Sequence, residues 1–165
     1  VGMSYNSNIG ADPNNNFYIG GAYHHFNRPK NNFYRNATIE LHPKWVFSGG
    51  LRMGVTDFAY ITVQADHSRQ GGFTETVAGG MYGLKLGDDA EHPKYVIHAG
   101  AFLRWDDALI PVVKLDYAPL SVAFSYDANI SKLKPSTYGR GGFEISISWF
   151  GFRKEKGDYL LCPRF

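Results

Sequence analysis

The residues able to do chemistry are few and scattered. Asp106 and Asp107 directly follow Trp105, and adjacent carboxylates suggest acid–base work or a calcium loop. The Asp, Asn and Gly spacing of an EF-hand is missing around them, so a local use is favoured: an Asx turn at a strand end, or an ion pair with Arg104 or Lys114. His24 and His25 are adjacent, and on a strand adjacent side chains point to opposite faces, which denies them a shared metal. A lipase-like site would need Ser, His and a carboxylate converging on one face. All three types are present, with six His in the chain, but no nucleophile elbow supports a triad. Gly139 to Gly142 lacks the Lys and the following helix of a phosphate loop and reads as the base of an exposed loop. One cysteine, Cys162, permits neither an internal disulfide nor a zinc site. These residues therefore indicate no catalytic group, no metal and no cofactor.

One polar set is better organised. Arg104, Lys114, Asp116, Asp127, Asn129, Arg140 and Glu144 fall on the same side of successive alternating segments. Together they would make either a network that fixes register and fills an interior or the polar lining of a conduit, and the first is favoured. The segments that position them are strands. From Ser121, the residues Val122, Phe124, Tyr126, Ala128 and Ile130 alternate with Ser121, Ser125, Asp127, Asn129 and Ser131. Phe143, Ile145, Ile147 and Trp149 repeat the pattern against Glu144, Ser146 and Ser148. Both runs approach the roughly nine to eleven residues that cross a bilayer as a tilted strand.

Upstream, Asn6 to Asn16 is rich in Asn, Gly, Asp and Pro and reads as a loop. Phe17 to Phe26 reads as a strand of uncertain register, ended by Asn27, Arg28 and Pro29, and a short alternating run from Ala37 to Leu41 follows. Further strands are expected over Trp45 to Val55, Phe58 to Asp66, Phe73 to Leu86 and Tyr95 to Trp105, with a turn from Ser68 to Gly72 and a charged loop from Gly87 to Lys94. Val113, Leu115 and Tyr117 face away from Lys114 and Asp116, and Tyr117 to Leu120 is too short for anything but a hairpin. No helical periodicity is sustained over ten residues, so the fold class is all-β and the strands form an antiparallel meander.

Aromatic residues make up 16% of the chain, more than a core needs, and many sit near strand ends, where girdles at a membrane surface would use them. No run approaches the roughly 18 apolar residues of a spanning helix, a test that a barrel escapes because its lumen residues dilute every strand. A net charge of +2 is too small to argue for a nucleic-acid partner. Alternation alone leaves two arrangements open, a soluble sandwich and a transmembrane sheet.

A resemblance separates them. Arg104, Asp106, Asp107, Ala108 and Pro111, then Phe124, Ser125, Tyr126, Asp127, Asn129, Ser131 and Leu133, and finally Gly139 to Glu144 with Ser146, are similar to the C-terminal signature of the PorP/SprF family. The closing Cys162, Pro163, Arg164 and Phe165 resemble that family's terminal tetrapeptide. The likeness extends more loosely through Gln64, Ala65, Asp66, Gln70, Gly71 and Glu75 to Asn27, Arg28 and Pro29. It implies an outer-membrane β-barrel of the Bacteroidetes serving type IX protein secretion and gliding motility, without catalysis. Its partners would be type IX secretion components, a secreted cargo or cell-surface adhesin, and outer-membrane lipid.

On that reading residues 1–150 are the C-terminal part of an antiparallel transmembrane β-barrel and 151–165 a periplasmic tail. The chain opens on Val1 without an initiator Met or signal peptide, so a larger wall is expected, closed by a further half or a partner chain. Last strands of bacterial barrels finish in the periplasm. Lys132, Lys134, Tyr138 and Arg140 then lie on an outer loop suited to holding a secreted partner, and Arg153, Lys154 and Lys156 on a tail facing periplasmic proteins. Passive diffusion through the lumen and binding by a soluble all-β module are the alternative functions.

Overall fold

The computed structural model describes residues 1–10, 12, 14–30, 40–131 and 141–149. They form nine strands: β1 Gly2–Asn8, β2 Asn16–His24, β3 Lys44–Thr56, β4 Ala59–Gln70, β5 Phe73–Leu86, β6 Tyr95–Arg104, β7 Ala108–Tyr117, β8 Leu120–Asn129 and β9 Gly142–Trp149. All belong to one sheet in chain order, each antiparallel to the next. The edges are β1 and β9.

The turns follow from local sequence. Gly71 opens the two-residue β4–β5 turn at a φ of 59°, a left-handed conformation that costs glycine nothing. Asp106 takes φ 60° in the β6–β7 turn, a position that Asp tolerates better than most side chains. The neighbouring Asp107 carbonyl accepts the amides of Ile130 and Ser131 at 2.8 and 3.0 Å, tying that turn to the end of β8. Asp57 and Phe58 join β3 to β4, and the register shift between Gly54 and Thr56 places a bulge beside that turn.

Two expected boundaries differ. Asn6 to Asn8 belongs to β1 and not to a loop: Tyr5 pairs with Ile19 while Ser4, Asn6 and Asn8 occupy the polar side. Ser68 to Gln70 continues β4, so only Gly71 and Gly72 turn the chain. In both places polar residues that resemble loop composition are the wet half of a strand. The two adjacent histidines also depart from expectation. The strand ends at His24, His25 adopts φ 54°, and the rings come to 6.3 Å centroid to centroid.

No apolar core exists among the described residues. Ala59, Tyr60 and Ala108 are the only buried hydrophobic residues, and no side chain is fully enclosed. Large apolar side chains instead stand exposed along every strand: Ile19 at 57%, Phe47 at 54%, Val113 at 54%, Phe124 at 54% and Ile147 at 69%. Register lines them on one face, Leu115 opposite Val122 and Val113 opposite Phe124, which in turn faces Ile145. Soluble monomers seldom expose apolar patches beyond a few hundred Å². With about 1.5–3 kcal/mol gained per large side chain removed from water, such a face requires a covering. The described strands make one layer, with no second sheet packed on this face.

Aromatic residues rim the apolar face at both ends. Tyr23 stacks on Trp45 at 4.1 Å, and Trp45 on Phe47 at 6.3 Å, at one end. At the other, Tyr95 stacks on Tyr117 at 4.9 Å, and Leu120 pairs with Trp149.

Candidate functional site

The opposite face is polar, and its side chains bond across strands. A chain of contacts crosses it on the side of the 57–58 and 118–119 turns. The Arg52 guanidinium of β3 lies 3.6 Å from the Tyr60 ring centroid, and the Tyr60 hydroxyl on β4 meets His98 Nε2 on β6 at 2.6 Å. His98 Nδ1 stands 3.5 Å from Asp116 Oδ2, beyond full hydrogen-bond length, so that nitrogen has a charge beside it but no hydrogen-bond partner. Asp116 on β7 accepts the Ser121 hydroxyl of β8 at 2.5 Å and pairs with Lys114 Nζ at 3.0 Å. Tyr60, His98 and Ser121 are each 6% exposed.

Glycine makes the reach possible. Gly83 on β5 is the cross-strand partner of both Tyr60 and His98. A Cβ there would stand 2.6 Å from the Tyr60 ring. Without it the ring lies over β5 and delivers its hydroxyl two strands away. Replacing Tyr60 by Phe removes this bond and leaves buried His98 without its Nε2 partner. The expected cost is about 1–3 kcal/mol, read as a lower urea midpoint for unfolding.

A second cluster sits toward the β6–β7 turn. Arg104 Nη1 contacts Asp127 Oδ2 at 2.9 Å and Asp107 Oδ2 at 3.1 Å, joining β6, the turn and β8. These groups are between about a third and half exposed, so the pairs add little energy and chiefly set geometry. At the opposite end Lys85 Nζ reaches Asn14 Oδ1 at 2.8 Å and the Asp57 carbonyl at 3.2 Å. The Gly54 amide donates to Asn15 Oδ1 at 2.8 Å, so the β1–β2 connection is drawn across the ends of β3 and β5.

Arg104, Lys114, Asp116, Asp127, Asn129 and Glu144 thus all lie on the polar face, but in separate groups. Arg104 joins Asp127, and Lys114 joins Asp116. Asn129 turns back on its own chain, its Oδ1 accepting the Ser131 amide at 2.9 Å and hydroxyl at 2.8 Å. Glu144 faces Ser125 across the β8–β9 pair. The ion pair expected between Arg104 and an adjacent aspartate forms at Asp107, not at Asp106, which the turn uses for its backbone. Lys132, Lys134, Tyr138, Arg140, Arg153, Lys154, Lys156 and Cys162 lie outside the described residues.

Sequence reasoning missed Arg52, Tyr60, Ser121 and Lys85 as members of these groups. The available signal was a Tyr, a Gly and a His at inward positions of consecutive strands.

Ser121, Asp116 and His98 do converge, in an order unsuited to nucleophilic catalysis. Ser121 donates to the carboxylate, and His98 Nε2 is occupied by Tyr60, so the hydroxyl has no base. Among the described residues no three His, Cys, Asp or Glu side chains gather to hold a metal. The arrangement binds strands to one another from the polar side.

A single antiparallel layer, bonded laterally on its polar face and coated with hydrocarbon between aromatic rims on the other, defines a membrane protein built on strands. Residues 1–149 match the family described as type IX secretion system membrane protein PorP/SprF, and the chain belongs to that family of Bacteroidetes outer-membrane proteins. The matched span ends where β9 ends. No curated protein and no solved structure matches the chain.

Proposed function

We propose that the nine strands form part of the wall of a transmembrane β-barrel, with the apolar face against acyl chains and the polar face toward a lumen. The barrel is a non-catalytic component of the type IX secretion and gliding machinery. It holds a secreted cargo or surface adhesin through its outer loops and meets periplasmic secretion components through residues after β9. The observation that carries this reading is the division of faces: every strand contributes exposed hydrocarbon to one side, while the carboxylates, the lysines and the cross-strand ion pairs gather on the other.

In lipid the β1 and β9 edges need partners, because unpaired amides there cost several kcal/mol each. As first and ninth strands of a meander, β1 and β9 run in the same direction. A wholly antiparallel closure therefore takes an odd number of further strands between them, from this polypeptide or another. With the end of β9 in the periplasm, the short turns at 57–58 and 118–119 face that compartment. The connections at 25–43, 71–72, 105–107 and 130–141 then face outside.

The reading is tested by isolating the full-length protein from outer membranes and identifying what accompanies it. Type IX secretion components or a large surface protein are expected. Recovery of neither, from membranes in which the protein is abundant, would overturn the machinery assignment. The polar face also admits a second reading, passive diffusion, and single-channel recording separates the two. A scaffold whose lumen is filled conducts weakly or not at all, whereas a porin conducts steadily.

A further inference from the structure

Across the nine strands, the outward face carries no Lys, Asp or Glu among the described residues. Its ionisable groups other than tyrosines are His67 and Arg69, both near the turn end of β4. Register fixes their height. Arg69 is opposite Trp45, and His67 opposite Phe47, so both stand level with the stacked rim of Tyr23, Trp45 and Phe47 and not above it. On their other side are Thr74 and Thr76 of β5. Beyond these the aromatic rim resumes at Trp105, whose amide donates to the Thr76 carbonyl at 2.9 Å and whose ring is 73% exposed. The rim is therefore interrupted, over the width of two strands, by a polar notch holding an exposed guanidinium, an imidazole and two hydroxyls.

The notch has the chemistry of an anion site. Among the described residues Arg69 has no carboxylate on its own face to neutralise it, and its planar fork suits a phosphate oxygen pair. His67 Nδ1 is engaged with Thr76 Oγ1 at 2.8 Å, which orients the ring and leaves Nε2 on the side away from that bond. Directly below, Ala65, Val63 and Ile61 continue the apolar face of β4, and Ala78 and Gly80 that of β5. Small residues there leave room for acyl chains hanging beneath a bound headgroup.

We propose that this notch seats the phosphate of a phosphorylated glycolipid of the outer leaflet, lipid A, with its chains lying over the small residues of β4 and β5. The assignment rests on the reading that this face meets lipid and that the 71–72 turn lies outside.

The test uses protein purified from outer membranes in mild detergent, with native mass spectrometry of bound lipid A, enzymatically dephosphorylated lipid A and phosphatidylethanolamine. The wild-type protein should prefer lipid A over its dephosphorylated form by about tenfold or more, the worth of one charge-assisted fork. The preference should vanish in the His67→Gln, Arg69→Gln double variant and fall only partly in Arg69→Lys, which keeps the charge and loses the fork. Equal binding of phosphorylated and dephosphorylated forms by the wild type, or a preference unchanged in the double variant, would overturn the site. The membrane reading is read out separately: if the wild-type protein is soluble without detergent, that reading fails first. Normal insertion with no phosphate preference sinks the notch alone.

Discussion

An arginine in place of Phe124 is expected to keep the protein out of the folded, membrane-inserted state, whereas an arginine at the next residue, Ser125, is expected to be tolerated. Phe124 is 54% exposed in the middle of β8, between the outward-facing Val113 and Ile145. In water a side chain so exposed can be exchanged within about 0.5 kcal/mol. In a bilayer a charge at mid-depth of a barrel strand costs about 2–4 kcal/mol, and the transfer energy of the lost ring adds to it. Ser125 points the other way, with Glu144 as its β9 neighbour, so the new guanidinium meets a carboxylate and water. Fractionation and heat-modifiable mobility of the two variants should therefore diverge sharply although the positions are adjacent.

The second large effect comes from backbone crowding on the polar face. A Cβ on Gly100 of β6 would stand 2.6 Å from Met81 Cα and closer still to the Gly80 carbonyl oxygen of β5. Gly79 meets the reciprocal obstacle at Phe102 Cα, also 2.6 Å away, and at the Ala101 carbonyl. These are ladder atoms, unable to swing aside as the tip of a lysine would. Gly100→Val should therefore cost about 3 kcal/mol or more, because β5 and β6 must separate to admit it. Gly142, at the start of β9, has no atom within 4 Å of such a Cβ and no positive φ. Gly142→Val should be neutral or slightly stabilising, since a β-branched side chain suits a strand. Urea titration of the inserted protein in lipid vesicles compares the two directly.

Much of the fold was legible because each strand carries its own period-two signature. The limits of β5 and the hairpin between β7 and β8 follow from alternation and turn residues alone. Legibility failed where a strand's wet side is nearly all that it shows. Ser4, Asn6 and Asn8 line the polar face of β1, and Ser68 and Gln70 that of β4, where the outward positions are also polar at His67 and Arg69. Composition there imitates a loop, and only a partner strand reveals otherwise.

The candidate site was readable as a face but not as a set of bonds. Alternation placed Arg104, Lys114, Asp116, Asp127, Asn129 and Glu144 together, since face membership requires only parity along each strand. Which of them touch depends on register between strands, to which parity within a strand is blind. The Tyr60–His98 bond needs a strand between them that presents glycine at one level. The Lys85–Asn14 bond joins residues 71 positions apart.

The central claim, that the outward side chains touch acyl tails, is tested most directly by tryptophan quenching in bilayers of bromine-labelled lipid. Trp45, Trp105 and Trp149 are all outward and 49%, 73% and 72% exposed, and all stand at the rims of the apolar face. Bromines attached high on the acyl chain should quench their emission strongly, bromines near the bilayer centre less, and aqueous iodide weakly. Strong quenching by iodide with none from either lipid would place these rings in water and contradict the account.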